Sequence, residues 1–163
     1  MEYLILAGSN LNDPPARLAE VVQHLQKAGL PPLRSSALYR SAAWGYQSPH
    51  EFFNQAHILS SPQSPLHIFN VLMDIERRMG RQRSQEKGYT DRIIDLDILL
   101  AGQLVVNSDI LVIPHPRMHL RRFALTPAAE LAGSWIHPIY QLSVQELLNR
   151  CPDDAPVTTF TRT

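Results

Sequence analysis

Apolar and polar positions along the chain recur with two periods, and each period predicts a different element. Tyr3 to Ala7 is a short apolar run that ends at Gly8-Ser9-Asn10, a turn signal, and predicts a first strand. Leu18, Val21, Val22 and Leu25 recur at helical spacing, behind Asn12 or Asp13 as the cap and Pro14-Pro15 in the first turn. Gly29 and Pro31-Pro32 close that helix. Leu33 to Ser41 predicts a second strand and Asn54 to Ser60 a third. Between them Ala42 to Phe52, with Trp44, Gly45, Tyr46 and Pro49, reads as a long loop of the kind that often carries function. Ser64-Pro65 opens a second helix with Leu66, Phe69, Leu72, Met73 and Ile75 as its apolar stripe. Glu76 borders that stripe as a semi-buried carboxylate, and Gly80 ends the helix.

Ile93 to Ala101 predicts the fourth strand, with Leu104-Val105-Val106 turning to pair back on it. Leu111 to Ile113 is another short strand, Phe123 to Leu131 a helix around Pro127, and Ser143 caps a last helix through Leu147 and Leu148. The residues from about Pro152 read as a poorly ordered tail on one domain spanning residues 1–163. No helix separates the second and third strands, so this is not the alternation of a doubly wound parallel sheet. The order predicts an α+β fold: a ferredoxin-like, mainly antiparallel sheet with helices packed on it and long loops.

Composition narrows the functional classes. The chain has 163 residues, 44% of them hydrophobic, enough for a proper core. Its formal net charge is zero, so no global field recruits nucleic acid or an anionic membrane. The one cysteine, Cys151, makes neither an internal disulfide nor a Cys-based metal site. No apolar run approaches the roughly 20 residues of a membrane-spanning helix, and MEYLILAGSN lacks the basic flank of a signal peptide. The expectation is a cytoplasmic monomer without nucleic-acid or membrane partners. Basic charge is nevertheless concentrated, with Arg77, Arg78, Arg81, Arg83, Lys87 and Arg92 in one segment and Arg117, Arg121 and Arg122 in another. Such clusters are either solvated loops or anion sites, and guanidinium groups suit phosphate.

The segment DRIIDLDILL, Asp91 to Leu100, carries the strongest chemical signal. Its apolar residues call for an interior, where an unpaired carboxylate is costly. In a strand, Asp95 and Asp97 project to the same face, roughly 6.6 Å apart along the strand, while Ile94, Leu96 and Ile98 point the other way. Two adjacent carboxylates repel, and either Arg92 or a divalent cation relieves them. A pair of carboxylates that leaves positions for water and phosphate oxygens suits Mg²⁺. Solvated acids on a surface strand are the competing reading. No P-loop or kinase-type glycine loop is present, so any nucleotide is held by side chains. His115 and His119 are four apart, but Pro116 and the lack of a third ligand argue against zinc.

Read together, AGSNLND, LYRSAAWG, FFNQA, IERRMGRQR, DRIIDLDILL, IPHPRMHLRRFAL, PAAEL and His137-Pro138 occur in an order that resembles the 6-hydroxymethyl-7,8-dihydropterin pyrophosphokinase family. Arg92 to Asp97 is the most specific piece. The resemblance implies a ferredoxin-like core with three flexible loops. It implies transfer of pyrophosphate from ATP to the hydroxymethyl group of 6-hydroxymethyl-7,8-dihydropterin, releasing AMP, in folate biosynthesis. On it, Asp95 and Asp97 match the ligands of two Mg²⁺ ions, and Arg81, Arg83 and Arg92 match catalytic positions. Those three arginines, His115 and Arg121 match positions around the ATP phosphates, and Glu76 matches an acid beside the nucleotide. Ser41, Ala42, Trp44, Phe53, Asn54, Asp95 and Phe123 fall where the family forms its pterin pocket. The chain departs from the family pattern at Thr90-Asp91, where Gly-Pro is common, at Tyr89 in place of tryptophan, at Ala7, and at the apolar Ile110 and Val112. The alternatives are another Mg²⁺-dependent nucleotidyl or phosphoryl transferase using the paired aspartates, or a ferredoxin-like module that binds RNA or a small ligand.

Overall fold

Strand β1 (Glu2–Ser9) runs through the middle of a sheet, and every residue from Tyr3 onward is buried. This computed structural model describes all 163 residues. Helix α1 (Pro14–Lys27) follows; the Asp13 carboxylate accepts from the Ala16 amide, and Leu18, Val21 and Leu25 face the core. The predicted second strand is two pieces, β2 (Arg34–Ser35) and β3 (Leu38–Ser41), and both pair antiparallel with β4 (Phe52–Ser60). The break falls at Ser36, whose Oγ accepts from the Ala56 amide of β4 and takes a ladder contact for itself.

Helix α2 (Pro65–Arg78) is capped by Ser64 and buries Ile68, Leu72, Ile75 and Glu76. Leu66, expected in its apolar stripe, is exposed, because the buried face runs at i, i+4, i+7 and i+8 from Ile68. β5 (Asp95–Ala101) pairs antiparallel with β1. Leu104 to Val106 does not return to β5; β6 (Val106–Asn107) pairs with β7 (Val112–Ile113) in a separate two-stranded ribbon. α3 (Arg122–Ala132) and α4 (Val144–Asn149) complete the helices, the latter with a full capping box between Ser143 and Glu146.

The C-terminal residues, expected to be poorly ordered, contribute β8 (Thr158–Phe160) to the outer edge of β3. Phe160 packs edge-on against Phe53 with centroids 5.0 Å apart, and Arg162 binds Asp13 at 2.8 Å. A bare sheet edge is a hazard for unwanted pairing, and β8 covers this one. The strand order is β5-β1-β4-β3-β8, antiparallel throughout, and without the edge strand it is the ferredoxin-like arrangement.

The sheet separates two cores. α1 and α2 pack on the face that carries Tyr3, Ile5, Leu59, Ile94, Leu96 and Ile98. α3 and α4 pack on the opposite face over Leu4, Leu6, Ile58, Leu99 and Leu100. Asp95 and Asp97 belong to this second face, in register with Gly8 and Leu6 of β1. A bulge between Leu4 and Ile5 on β1 leaves Leu99 unpaired and reverses the inward–outward phase of β5. The strand therefore presents acids at one end of this face and leucines at the other. α3 and α4 cover the leucine end, and loops enclose the acid end.

Candidate active site

Two cavities flank the acid-bearing end of β5, the first on the second face of the sheet and the second on the side of α2. The first, about 60 Å³, is lined by Ala42, Trp44, Tyr46, Phe52, Asn54, Tyr89, Arg92, Asp95, Asp97, Arg121 and Phe123 around a floor of Leu6 and Gly8. The second, about 220 Å³, lies between Phe69 of α2, the β5 residues Leu96 to Ile98, Ile110 to Val112, and His115-Pro116. Asp97 lines both.

The first cavity is aromatic with a few polar groups. Trp44 and Tyr89 meet edge to face at 5.6 Å, and the Arg121 guanidinium lies over the Trp44 ring at 4.6 Å. Asn54 is 3% exposed, and its Nδ2 has no partner. A buried amide donor without an acceptor is rare and costly, so this one is poised for a ligand acceptor. Gly8 makes room for it, since a Cβ there would sit 2.6 Å from Asn54 Oδ1.

Of the residues expected around a flat ligand, Ala42, Trp44, Asn54, Asp95 and Phe123 line this cavity. Phe53 does not; it packs on Phe160 and the α1–α2 core. Its neighbour Phe52 takes the place, because residues two apart share a strand face and Phe52 pairs with Asn54 in that sense. Ser41 is opposite Phe52 on the same face but lies outside the lining, with its buried Oγ unpartnered. Tyr46 and Tyr89 carried no strand or helix period that would have assigned them to the cavity.

Beneath the cavities lies a charge network. Arg81, on the turn after α2, is 6% exposed. It donates to Asp95 Oδ1 at 2.6 Å, Glu76 Oε1 at 3.1 Å, and Glu86 at 3.0 and 2.8 Å. Its donors are thus spent on carboxylates, and it lines neither cavity. Arg81, expected beside the ATP phosphates, is turned in this structure to carboxylates, among them Asp95. Glu76, expected to be semi-buried beside a nucleotide, is 2% exposed and lines neither cavity. It accepts from the Leu96 amide at 2.7 Å, from Arg81, and from Arg83 Nε at 2.8 Å and Nη2 at 2.9 Å. It therefore tethers α2 to β5. Arg83 is half-exposed, with Nη2 3.5 Å from Asp95, and Arg92 Nη1 donates to Asp95 Oδ2 at 3.0 Å.

The two aspartates differ electrically. Burial would raise the Asp95 carboxyl, but Arg81, Arg92 and Arg83 together outweigh it and hold the value below the ordinary carboxylate range. Asp97 lacks such partners. Burial and the charge of Asp95 push it up to about 7. Its one basic neighbour in ion-pair range is His115 Nε2, at 3.9 Å. The Arg117 amide donates to His115 Nδ1 at 3.1 Å, so a neutral His115 carries its proton on Nε2, toward Asp97. Burial first, then Arg121, lowers His115 to about 4, and the ring is neutral at physiological pH. His115 therefore turns an N–H toward Asp97 from 3.9 Å, beyond hydrogen-bond length, and brings no charge there.

This donor set fits a hard divalent cation. No group of three or more His, Cys, Asp or Glu side chains encloses a metal by itself. Asp95 and Asp97 side by side, one of them under-compensated, instead suit an ion that brings its own water and phosphate ligands. Arg92, bonded to Asp95, and Arg121 line the first cavity with the pair, and guanidinium groups suit phosphate.

The 7,8-dihydro-6-hydroxymethylpterin-pyrophosphokinase (HPPK) family model matches residues 4–133. A 2-amino-4-hydroxy-6-hydroxymethyldihydropteridine pyrophosphokinase of Porphyromonas gingivalis is 39% identical over 138 residues, covering 83% of this chain and 92% of the relative. The protein of the same name from Haemophilus influenzae is 33% identical over 150 residues, covering 91% and 92%. The folic acid synthesis protein fol1 of Pneumocystis carinii is 31% identical over 158 residues, but the match spans only 21% of that longer protein. Among solved structures, wild-type Plasmodium falciparum HPPK-DHPS superposes with a TM-score of 0.72 at 14% identity, covering 91% of this chain and 44% of the solved one. That likeness concerns the fold. The chain belongs to the HPPK family.

Proposed function

We propose that this chain transfers pyrophosphate from ATP to the hydroxymethyl oxygen of 6-hydroxymethyl-7,8-dihydropterin, yielding AMP and the pterin diphosphate for folate synthesis. The observation that carries this reading is the position of Asp97 in the wall shared by an aromatic cleft and a larger, partly apolar cavity. Two substrates seated in those cavities meet at the carboxylate pair.

The cleft takes the pterin. A flat, donor-rich bicycle stacks among Trp44, Phe52 and Phe123, and its acceptors satisfy Asn54 Nδ2. The second cavity takes the adenosine of ATP, held largely by apolar contact with Phe69, Leu111 and Val112. Asp95 and Asp97 hold two Mg²⁺ ions. When bound, the ions neutralise charge on the phosphates and favour ionisation of the pterin hydroxyl. Arg83 and Arg92 leave their carboxylates for the phosphates, while Arg81 keeps Asp95 aimed. The hydroxymethyl oxygen bonds to the β-phosphorus, and the bond from that phosphorus to the oxygen shared with the α-phosphate breaks. AMP leaves with that oxygen, and the hydroxyl proton passes to water.

The test is the nucleotide product. ATP, Mg²⁺ and the hydroxymethyl dihydropterin should yield AMP and pterin diphosphate in equal amounts by chromatography. ADP as the sole nucleotide product rejects the reading.

The cleft makes a further prediction. Gly8→Ala places a methyl group against Asn54, and overpacking of this kind typically costs about 1–3 kcal/mol. If Asn54 moves to relieve it, pterin KM rises by roughly tenfold or more, with ATP KM little changed. Equal effects on both substrates would indicate general damage to the sheet instead.

A further inference from the structure

After α4 the chain crosses from the second core, where Cys151 packs, to the first, where Phe160 meets Phe53. On the way it touches two walls of the aromatic cleft from behind. The first contact is at Asp153. α3 begins without a cap of its own, because its N-cap residue is Arg121, whose side chain offers no acceptor. Asp153 supplies one from 31 positions away: its Oδ2 accepts from the Arg122 amide at 3.1 Å, and its carbonyl accepts from Arg122 Nε at 2.8 Å. A carboxylate there meets an orphan amide and the positive end of the helix dipole. Asp153 Oδ1 accepts from the Ala155 amide at 3.1 Å, which fixes the carboxylate in turn. Arg122 stands between Arg121 and Phe123, and both neighbours line the cleft.

The second contact is β8. It holds β3 from the outer edge while β4 holds the inner one: Tyr39 pairs with Thr159 and Asn54, and Arg40 with Thr158 and Phe53. Past Ser41 the same strand runs into Ala42 and Trp44, which line the cleft. Phe160 meets Phe53 edge-on at 5.0 Å, and Phe53 stands between Phe52 and Asn54, two more lining residues. Arg162 anchors the end of the segment on Asp13 at 2.8 Å. No residue after Phe123 lines either cavity.

We infer that the segment from Asp153 to Phe160 clamps the aromatic cleft from outside and sets the spacing of its walls, with Asp153 and Phe160 as positioning residues for the pterin. This rests on the assignment of the cleft to the pterin. Asp153 holds the wall of Arg121 and Phe123 at the start of α3. Phe160 and the β8 ladder hold the wall of Ala42, Phe52 and Asn54. A flat ring stacked between aromatic groups needs that spacing. A misplacement of about 1 Å that arises far from a site can cost roughly a hundredfold. The second cavity takes no residue from the segment and shares only Asp97 with the cleft, so the nucleotide is spared.

The experiment is steady-state kinetics with ATP, Mg²⁺ and 6-hydroxymethyl-7,8-dihydropterin, each substrate varied in turn, on Phe160→Ala and Asp153→Ala. Each variant should raise pterin KM by roughly tenfold while ATP KM stays within about twofold of wild type. Asp153→Asn keeps an acceptor oxygen for the Arg122 amide and should recover most of the wild-type KM. A merely structural role would lower the active fraction, and so kcat, without moving one KM alone. Asp153→Ala keeps β8 and carries the test if Phe160→Ala folds poorly. Pterin KM unchanged in the folded variants overturns the clamp, as do pterin and ATP KM rising together. If the wild type makes AMP and pterin diphosphate and the variants give either of those results, only the clamp falls. If the wild type makes neither product, the assignment of the cleft falls with it.

Discussion

Asp97→Asn should abolish turnover and, in ligand-free protein at pH 8, raise the melting temperature. The two effects have one cause. Burial, and then Asp95, raise the Asp97 carboxyl from 3.8 to about 7. A carboxyl raised on folding gives the folded state an advantage that is complete below the unfolded value, near pH 4, and is lost as pH rises through about 7. Above that, the wild type carries a second negative charge beside Asp95 with no guanidinium of its own. The Asp97 side chain is 30% exposed, so water discounts the penalty to about 1–2 kcal/mol. Removing it should raise Tm by roughly 3–6 °C at pH 8 in a chain of this size, with the difference vanishing near pH 4. Activity should fall by roughly a thousandfold or more, because the amide cannot compensate a cation as the carboxylate does. Thermal denaturation against pH, alongside a turnover assay, checks both. Activity within tenfold of wild type would refute the metal-binding role, and a lower Tm at pH 8 would refute the electrostatic argument.

Glu76→Ala should have the largest effect on stability. The side chain is 2% exposed and accepts from one backbone amide and two arginines. Its loss leaves the Leu96 amide unsatisfied and removes one of three carboxylates from around the buried Arg81. Removing one partner of a buried network typically costs about 3–5 kcal/mol, which lowers Tm by roughly 6–20 °C in a chain of this size. Glu76→Gln keeps an acceptor for Leu96 and should lose less. Circular dichroism melts of both variants test the point, and a Tm for Glu76→Ala within 2 °C of wild type would mean that α2 and β5 are held by apolar packing alone.

Much of this architecture was legible because it follows from periods and caps. Spacing put Leu18, Val21 and Leu25 on one face of α1, Ser64 and Ser143 act as the expected caps, and the two-residue strand period brought Asp95 and Asp97 together. The same period one element earlier favours Phe52 over Phe53, but β4 begins at Phe52, two residues ahead of the start that the sequence pattern predicts at Asn54. Arg81 and Arg83 could not be told apart, since burial of a loop arginine depends on which carboxylates the fold brings to it. β8 is only Thr158–Phe160 and follows Pro156, so it has too few residues to show alternation. Tyr46 and Asp91 are 45 positions apart, and only the closed loop reveals that they bond.

The central claim is that Asp97 stands where two substrates meet. The direct measurement is a crystal structure with Mg²⁺, a non-hydrolysable ATP analogue and 6-hydroxymethylpterin bound together. The account predicts the pterin ring among Trp44, Phe52 and Phe123 with Asn54 bonded to its edge, the adenine beside Phe69 and Leu111, and the hydroxymethyl oxygen facing the β-phosphorus next to Asp97. Adenine in the aromatic cleft, or a hydroxymethyl group pointing away from the carboxylate pair, would contradict it.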